Sequence, residues 1–151
     1  MSWIKKRAQS GIEYLAIVGI ALLVLTSGML IFSNYARTSS DDVTSNQLNL
    51  IGNTIMTNAE AMYVLGNESW ITIEFNFPKV VSNAAINNNQ EMFFAYSTSR
   101  GDSYAVFFSD KFNLSNGTST CSTTCNLNFM PGINKVKIHS IGNKVNIMRI
   151  S

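Results

Sequence analysis

The chain has 151 residues, the size of one domain or of one domain with an appendage. It is 46% hydrophobic but only 13% charged, about half the ~25% of an ordinary soluble chain, and Asn, Ser and Thr fill the gap. The net charge of +2 comes from Lys5, Lys6 and Arg7; the other 8 basic groups face 9 acidic ones, which leaves no electrostatic footprint for nucleic acid and excludes it as a partner.

From Tyr14 to Ala36 there is no charged residue, and Leu15 through Phe32 is almost wholly apolar. As a helix this run spans ~35 Å, enough to cross a hydrocarbon core of ~30 Å. It is apolar all round, as helices buried on every side are. Thr26 and Ser27 are tolerated there because each hydroxyl can bond back to a carbonyl of the preceding turn. Three cations precede the run and Arg37 follows it, so the start of the chain is expected in the cytoplasm and the remainder outside. A secretory signal peptide would have a shorter apolar region and a small-residue cleavage site at its far end. That reading and a plain signal anchor are the alternatives on composition alone.

Glu13 stands at the mouth of the apolar run. A carboxylate beside hydrocarbon costs several kcal/mol (order of magnitude) unless it reaches headgroup water, protonates or meets a cation. The stretch from Lys5 onward, KKRA then QSGIEYLAIVGIALLVL, resembles the class III signal peptide of archaeal type IV pilin-like proteins. The match covers residues 4–36: a short basic leader, a small residue (Ala8, where Gly is common), Gln9-Ser10, then Glu13-Tyr14 and a long apolar segment. The resemblance implies a cut between Ala8 and Gln9 by a membrane prepilin peptidase. Glu13 would then neutralise the new terminal amine, its own or a neighbour's. Independently of any family, such a cut exchanges three cations for one ammonium beside one carboxylate. That pair can enter an apolar bundle, whereas the three-charge tether cannot leave the membrane surface.

Beyond the polar stretch RTSSDDVTSNQ, residues Leu48, Ile51, Ile55, Ala59, Met62 and Tyr63 recur at spacings of three and four, the stripe of an amphipathic helix. Gly66-Asn67 suits a helix stop. Residues 9–65 therefore read as one stem helix of ~85 Å, with Ser39–Asp42 a place where it could kink or cap afresh.

After Gly66 the period shortens to two. Residues 70–75, 92–96, 104–108, 135–141 and 144–150 read as five mostly antiparallel strands. They are expected to form a β-rich head with one face on the stem, an α+β fold of lollipop form. Gly101 and Asp102 suit one hairpin turn, and Gly142-Asn143 is the strongest hairpin signal in the chain. Around it Val136, Ile138, Val145 and Ile147 should face inward, and Lys135, Lys137 and Asn146 outward.

Cys121 and Cys125 are the only cysteines. Three intervening residues do not make a redox C-x-x-C, and the lone histidine, His139, is too far along the chain to complete a metal set. One disulfide closing a surface loop is the simplest reading, with free thiols the other. Sequons at Asn67, Asn113 and Asn116 are candidate N-glycosylation sites, although so Asn-rich a chain yields about that number by chance. No metal, cofactor or catalytic constellation is expected, and the chain does not read as an enzyme.

The chain thus divides into a leader (1–8), an apolar segment for the membrane or a filament core (9–36), an amphipathic continuation (37–65) and an exported head (66–151). The implied function is a subunit of a type IV pilus-like surface filament, serving adhesion. Its partners would be its own copies, the prepilin peptidase, an assembly platform with its ATPase and, before assembly, the membrane. The other reading is a single-pass anchored binding module, neither processed nor polymerised.

Overall fold

The computed structural model describes residues 3–117 and 119–151, with side chains from Gly11 to Gly117 and from Cys121 onward. The fold is α+β: among the described residues one long helix, α1 (Trp3–Leu65), precedes nine strands. The chain divides into two compact units, residues up to Ser40 and Asp41–Ser151.

In the first unit α1 stands alone. Its hydroxyl side chains turn back onto the helix, as expected: Thr26 Oγ1 donates to Leu22 O at 2.7 Å and Ser27 Oγ to Leu23 O at 2.8 Å. Helical hydrogen bonding continues through Ser39–Asp42 without a break. The helix stops where Gly66 takes φ +100°, a left-handed conformation open to glycine, and its N–H reaches the carbonyls of Met62 and Tyr63 at 3.2 Å.

In the second unit the expected stripe is the buried one. Leu48, Ile51, Ile55, Ala59 and Met62 lie in a single core with the inner faces of two sheets, and Tyr63 packs at its margin. The strands are β1 (Trp70–Phe77), β2 (Val81–Asn87), β3 (Glu91–Thr98), β4 (Gly101–Phe108), β5 (Asn113–Asn116), β6 (Ser119–Thr120), β7 (Thr124–Asn126), β8 (Gly132–Ile141) and β9 (Lys144–Arg149). One sheet runs β1-β8-β9-β5-β6 and the other β4-β3-β2-β7. Among the described residues all pairings are antiparallel except β5 with β9, where Leu114 lies beside Val145.

Helix and sheets close on one another. Gln47 Nε2 donates to the carbonyl of Asn76 on β1 (3.2 Å), and Ser69 Oγ, just before β1, donates to Met62 O (2.8 Å). On the other flank Ser99, just before β4, binds Asp41, and Lys111, just after it, pairs with Glu60. Residues 41–62 of α1 therefore lie against both sheets, tied to β1 by Gln47 and to the connections on either side of β4 by Asp41 and Glu60. At the opposite side β6 and β7 carry the chain from one sheet to the other. There Asn116 Nδ2 donates to Asn126 O at 2.6 Å.

Four expectations need correction. Among the described residues there are nine strands in two sheets, not five, because β5 and β6 extend the sheet of β1, β8 and β9 while β2 and β7 extend that of β3 and β4. The turn between β3 and β4 is Ser99-Arg100, with Thr98 opposite Gly101, so Gly101 and Asp102 already belong to β4. The first strand continues past residue 75 to Phe77, whose buried ring meets Phe94 and Phe129 at 5.4 and 5.5 Å. Asn146 is buried, not outward: β5 pairs beside β9 in the same sheet, with Ser115 next to Asn146, and Asn146 Oδ1 accepts the N–H of Gly117 at 2.6 Å. The Gly142-Asn143 turn is found as expected, with Ile141 opposite Lys144 and φ +62° at Gly142. Val136, Ile138, Val145 and Ile147 are fully buried.

Candidate functional site

The apolar segment is the dominant feature of the first unit. Its most apolar 18-residue window has none of its residues buried, and α1 is long and apolar enough to cross a membrane. Ile12, Tyr14, Leu15 and Leu23 are each 68–70% exposed and Met29 is 76% exposed. Burying such a side chain gains about 1.5–3 kcal/mol, so a surface of this kind requires a cover from outside the chain. Glu13 lies exposed on the same helix and has no ion-pair partner among the described residues. Ala8 and Gln9 fall within α1, but their side chains lie outside the described residues.

Cys121 and Cys125 form a disulfide, with Cα atoms 5.4 Å apart. Cys121 is fully buried and Cys125 sits in β7 opposite Ile86, so the bridge lies where the chain changes sheets. The amides of Asn88 and Asn89 donate to the carbonyls of Thr123 and Cys121, both at 2.9 Å, and fasten this loop to the end of β2.

The three sequons occupy different environments. Asn67 is exposed beyond the helix end, and its Oδ1 accepts the Gly142 N–H at 2.8 Å. Asn113 is half-buried in β5, two residues before buried Ser115, and the Asn116 amide is bonded to β7. Thr118 of the third sequon lies outside the described residues.

On the outer face of β1 and β8, charges pair locally: Glu74 with Lys135 (3.5 Å), Glu68 with His139 (3.3 Å), and Lys137 over the Trp70 ring (4.9 Å). His139 is thus a surface-sheet histidine beside a carboxylate. Among the described residues no group of three His, Cys, Asp or Glu side chains could hold a metal. A shallow cavity of ≈ 210 Å³ lies between α1 and the β4–β5 connection, edged by Glu60, Lys111 and Phe108. Of its charged groups, Glu60 and Lys111 pair with each other, and Asp110 stands beside them.

Two structurally decisive residues, Gly52 and Asn134, carry no signal in the sequence. Both act through close contacts that only the folded second unit creates. No protein-family model matches the chain, and no curated protein or solved structure is significantly similar to it.

Proposed function

We propose that the chain is a structural subunit of an archaeal type IV pilus-like surface filament. It is made as a membrane precursor with its start in the cytoplasm and its head outside. A prepilin peptidase cuts it before Gln9, and it then polymerises through its N-terminal helix. The observation that carries this reading is the ordered motif of three cations, Ala8, Gln9-Ser10, Glu13-Tyr14 and a long uncharged run. The wholly exposed apolar helix supports it, because a helix destined for a bundle of its own copies needs such a surface. The charge-poor, Asn/Ser/Thr-rich head suits repeated display on a filament, and adhesion is the role proposed for it. The reading assigns no catalytic chemistry to the chain.

Ala8→Leu should block the cut and leave full-length precursor in the membrane with no filaments. Glu13→Ala should be cut normally but lose most of its polymer. Normal filaments from the uncut Ala8→Leu protein would refute processing. Unchanged polymer yield from Glu13→Ala would refute the charge-pair role. An anchored, unpolymerised binding module would show neither phenotype.

A further inference from the structure

The strand ends of the second unit gather around the first residues of its helix. Asp41 holds Ser99 in the β3–β4 turn, and the Ser97 N–H donates to the carbonyl of Val80 at 3.1 Å. Gln47 reaches Asn76, which stands opposite Ile133 near the start of β8, and the Ile150 N–H donates to Lys135 O at 2.8 Å. The β1–β2 and β3–β4 turns, the β7–β8 connection and the end of β9 therefore form one rim at the Asp41 end of this unit.

That rim is not the polar surface expected of turns. Val80, Met130, Ile133 and Ile150 are there, large apolar side chains 44–68% exposed. Lys79, next to Val80, is exposed and has no ion-pair partner among the described residues. Arg100 is exposed in the β3–β4 turn. Most acids nearby are engaged: Asp41 accepts from Ser99, Asp102 from the Ser97 hydroxyl at 2.9 Å, and Glu74 pairs with Lys135. Asp42, on the helix, is exposed.

The connection of the chain says what covers this rim. The uncharged run ends at Ala36, five residues before Asp41. Five residues reach at most ~18 Å even when fully extended. With the run across a hydrocarbon core, the Asp41 end of the unit is thus held close to the headgroup layer, itself ~5–8 Å thick on each side. Exposed Ile141 and Leu65 lie at the other end, where α1 has run ~36 Å beyond Asp41. Aliphatic side chains interleaved with Lys and Arg suit a headgroup layer: the first enter the acyl boundary and the second meet phosphates. Water would leave the aliphatics bare, and nothing in the chain holds a partner protein at this place as the span holds the bilayer.

We propose that in the membrane-held chain this rim docks on an anionic phospholipid surface, with Val80, Met130, Ile133 and Ile150 entering the headgroup layer and Lys79 and Arg100 facing phosphates. This rests on the membrane precursor of the filament reading, and it gives the head a resting place before assembly.

The test uses the full-length chain in vesicles of phosphatidylcholine and phosphatidylglycerol, with single cysteines carrying a fluorophore. The native pair is already joined, so the new thiol is the only free one. A nitroxide-bearing phospholipid should quench the probe at Met130→Cys and Ile133→Cys about threefold more than at Ile141→Cys, with Leu22→Cys as the reference within the span. Lys79→Glu should weaken quenching at Ile133→Cys by about threefold or more. If Leu22→Cys is quenched while both rim probes behave like Ile141→Cys, the inference is overturned and the filament reading stands. If Leu22→Cys is not quenched, the membrane precursor fails and takes the inference with it. Rim probes shielded from aqueous iodide yet unreached by the lipid quencher would reveal a protein cover, such as a second copy, and overturn the inference. Quenching unchanged by Lys79→Glu overturns the phosphate contact.

Discussion

The ring of Phe107 on β4 lies against the backbone of Gly52 on α1, so close that a Cβ on Gly52 would fall 2.1 Å from the ring's Cζ. Glycine in mid-helix normally costs about 1 kcal/mol relative to alanine. Here it lets the helix approach the edge of the second sheet, and the ring fills the space while meeting Phe94 at 5.6 Å. Gly52→Ala should therefore destabilise the head by about 1–2 kcal/mol, the overpacking cost exceeding the gain in helix propensity. Combined with Phe107→Leu it should lose less than the sum of the two single changes. Denaturant unfolding of the four proteins measures this, and strict additivity would disprove the steric account.

Asn134 is fully buried at the start of β8 and organises the turn before it. Its Nδ2 donates to Met130 O (2.6 Å) and Gly132 O (2.9 Å), while Oδ1 accepts the Met130 N–H (3.0 Å). Asn134→Ala strands these backbone groups and should cost about 2–3 kcal/mol in equilibrium unfolding. Asn134→Asp keeps the acceptor but loses both donations, and it should be at least as destabilised at pH 7.

The Cys121–Cys125 bridge closes a short ring, for which unfolded-chain entropy gives about 2 kcal/mol of stabilisation. Its removal with Cys121→Ser and Cys125→Ser should lower stability by no more than this. Hydrogen exchange should quicken locally at the amides of Asn88 and Asn89, whose acceptors lie in the loop. Loss of protection spread evenly through β8 and β9 would contradict this local role.

Asp41 accepts hydrogen bonds from the Ser99 hydroxyl and, at 3.0 Å, from the Ser99 N–H, with Arg100 adding a favourable charge. These bonds, the hydroxyl's first, hold its pKa below the ordinary carboxylate value. A depressed folded-state pKa gives stability that is present above the unfolded value of about 4 and lost as pH falls through the folded value. Asp41→Asn should thus be less stable than the parent near neutrality, the gap closing in acid below about pH 4. A gap that stays constant to pH 2 would show that the contact does not depend on charge.

Features governed by local periodicity were legible in the sequence. The Leu48-to-Tyr63 stripe shows at a period of 3.6 because one side of α1 faces a core. The β8–β9 hairpin shows because alternation flanks a Gly-Asn turn. β2 was not legible. Its Ser-Asn-Ala-Ala stretch lacks β-branched and aromatic residues, its ladder shifts between Val81 and Asn83, and the Asn run after it reads as turn, which Asn88 and Asn89 are, at φ 50° and 59°. β5, β6 and β7 have four, two and three residues, too short for any period; the disulfide crossover and the ladders of neighbouring strands hold them. Burial of Asn146 depends on β5 pairing in parallel from about thirty residues earlier in the chain, which its own alternation does not register. The motif of the candidate site is the opposite case. The order Lys5, Lys6, Arg7, Ala8, Gln9, Glu13 is linear and requires no fold to be seen.

The most direct measurement is the N-terminal mass of the protein recovered from the cell surface. Proteolytic release of the basic leader predicts a mature chain beginning at Gln9, with Lys5, Lys6 and Arg7 gone and Glu13 as its fifth residue. Surface material that still begins at Met1 or Ser2 would contradict it.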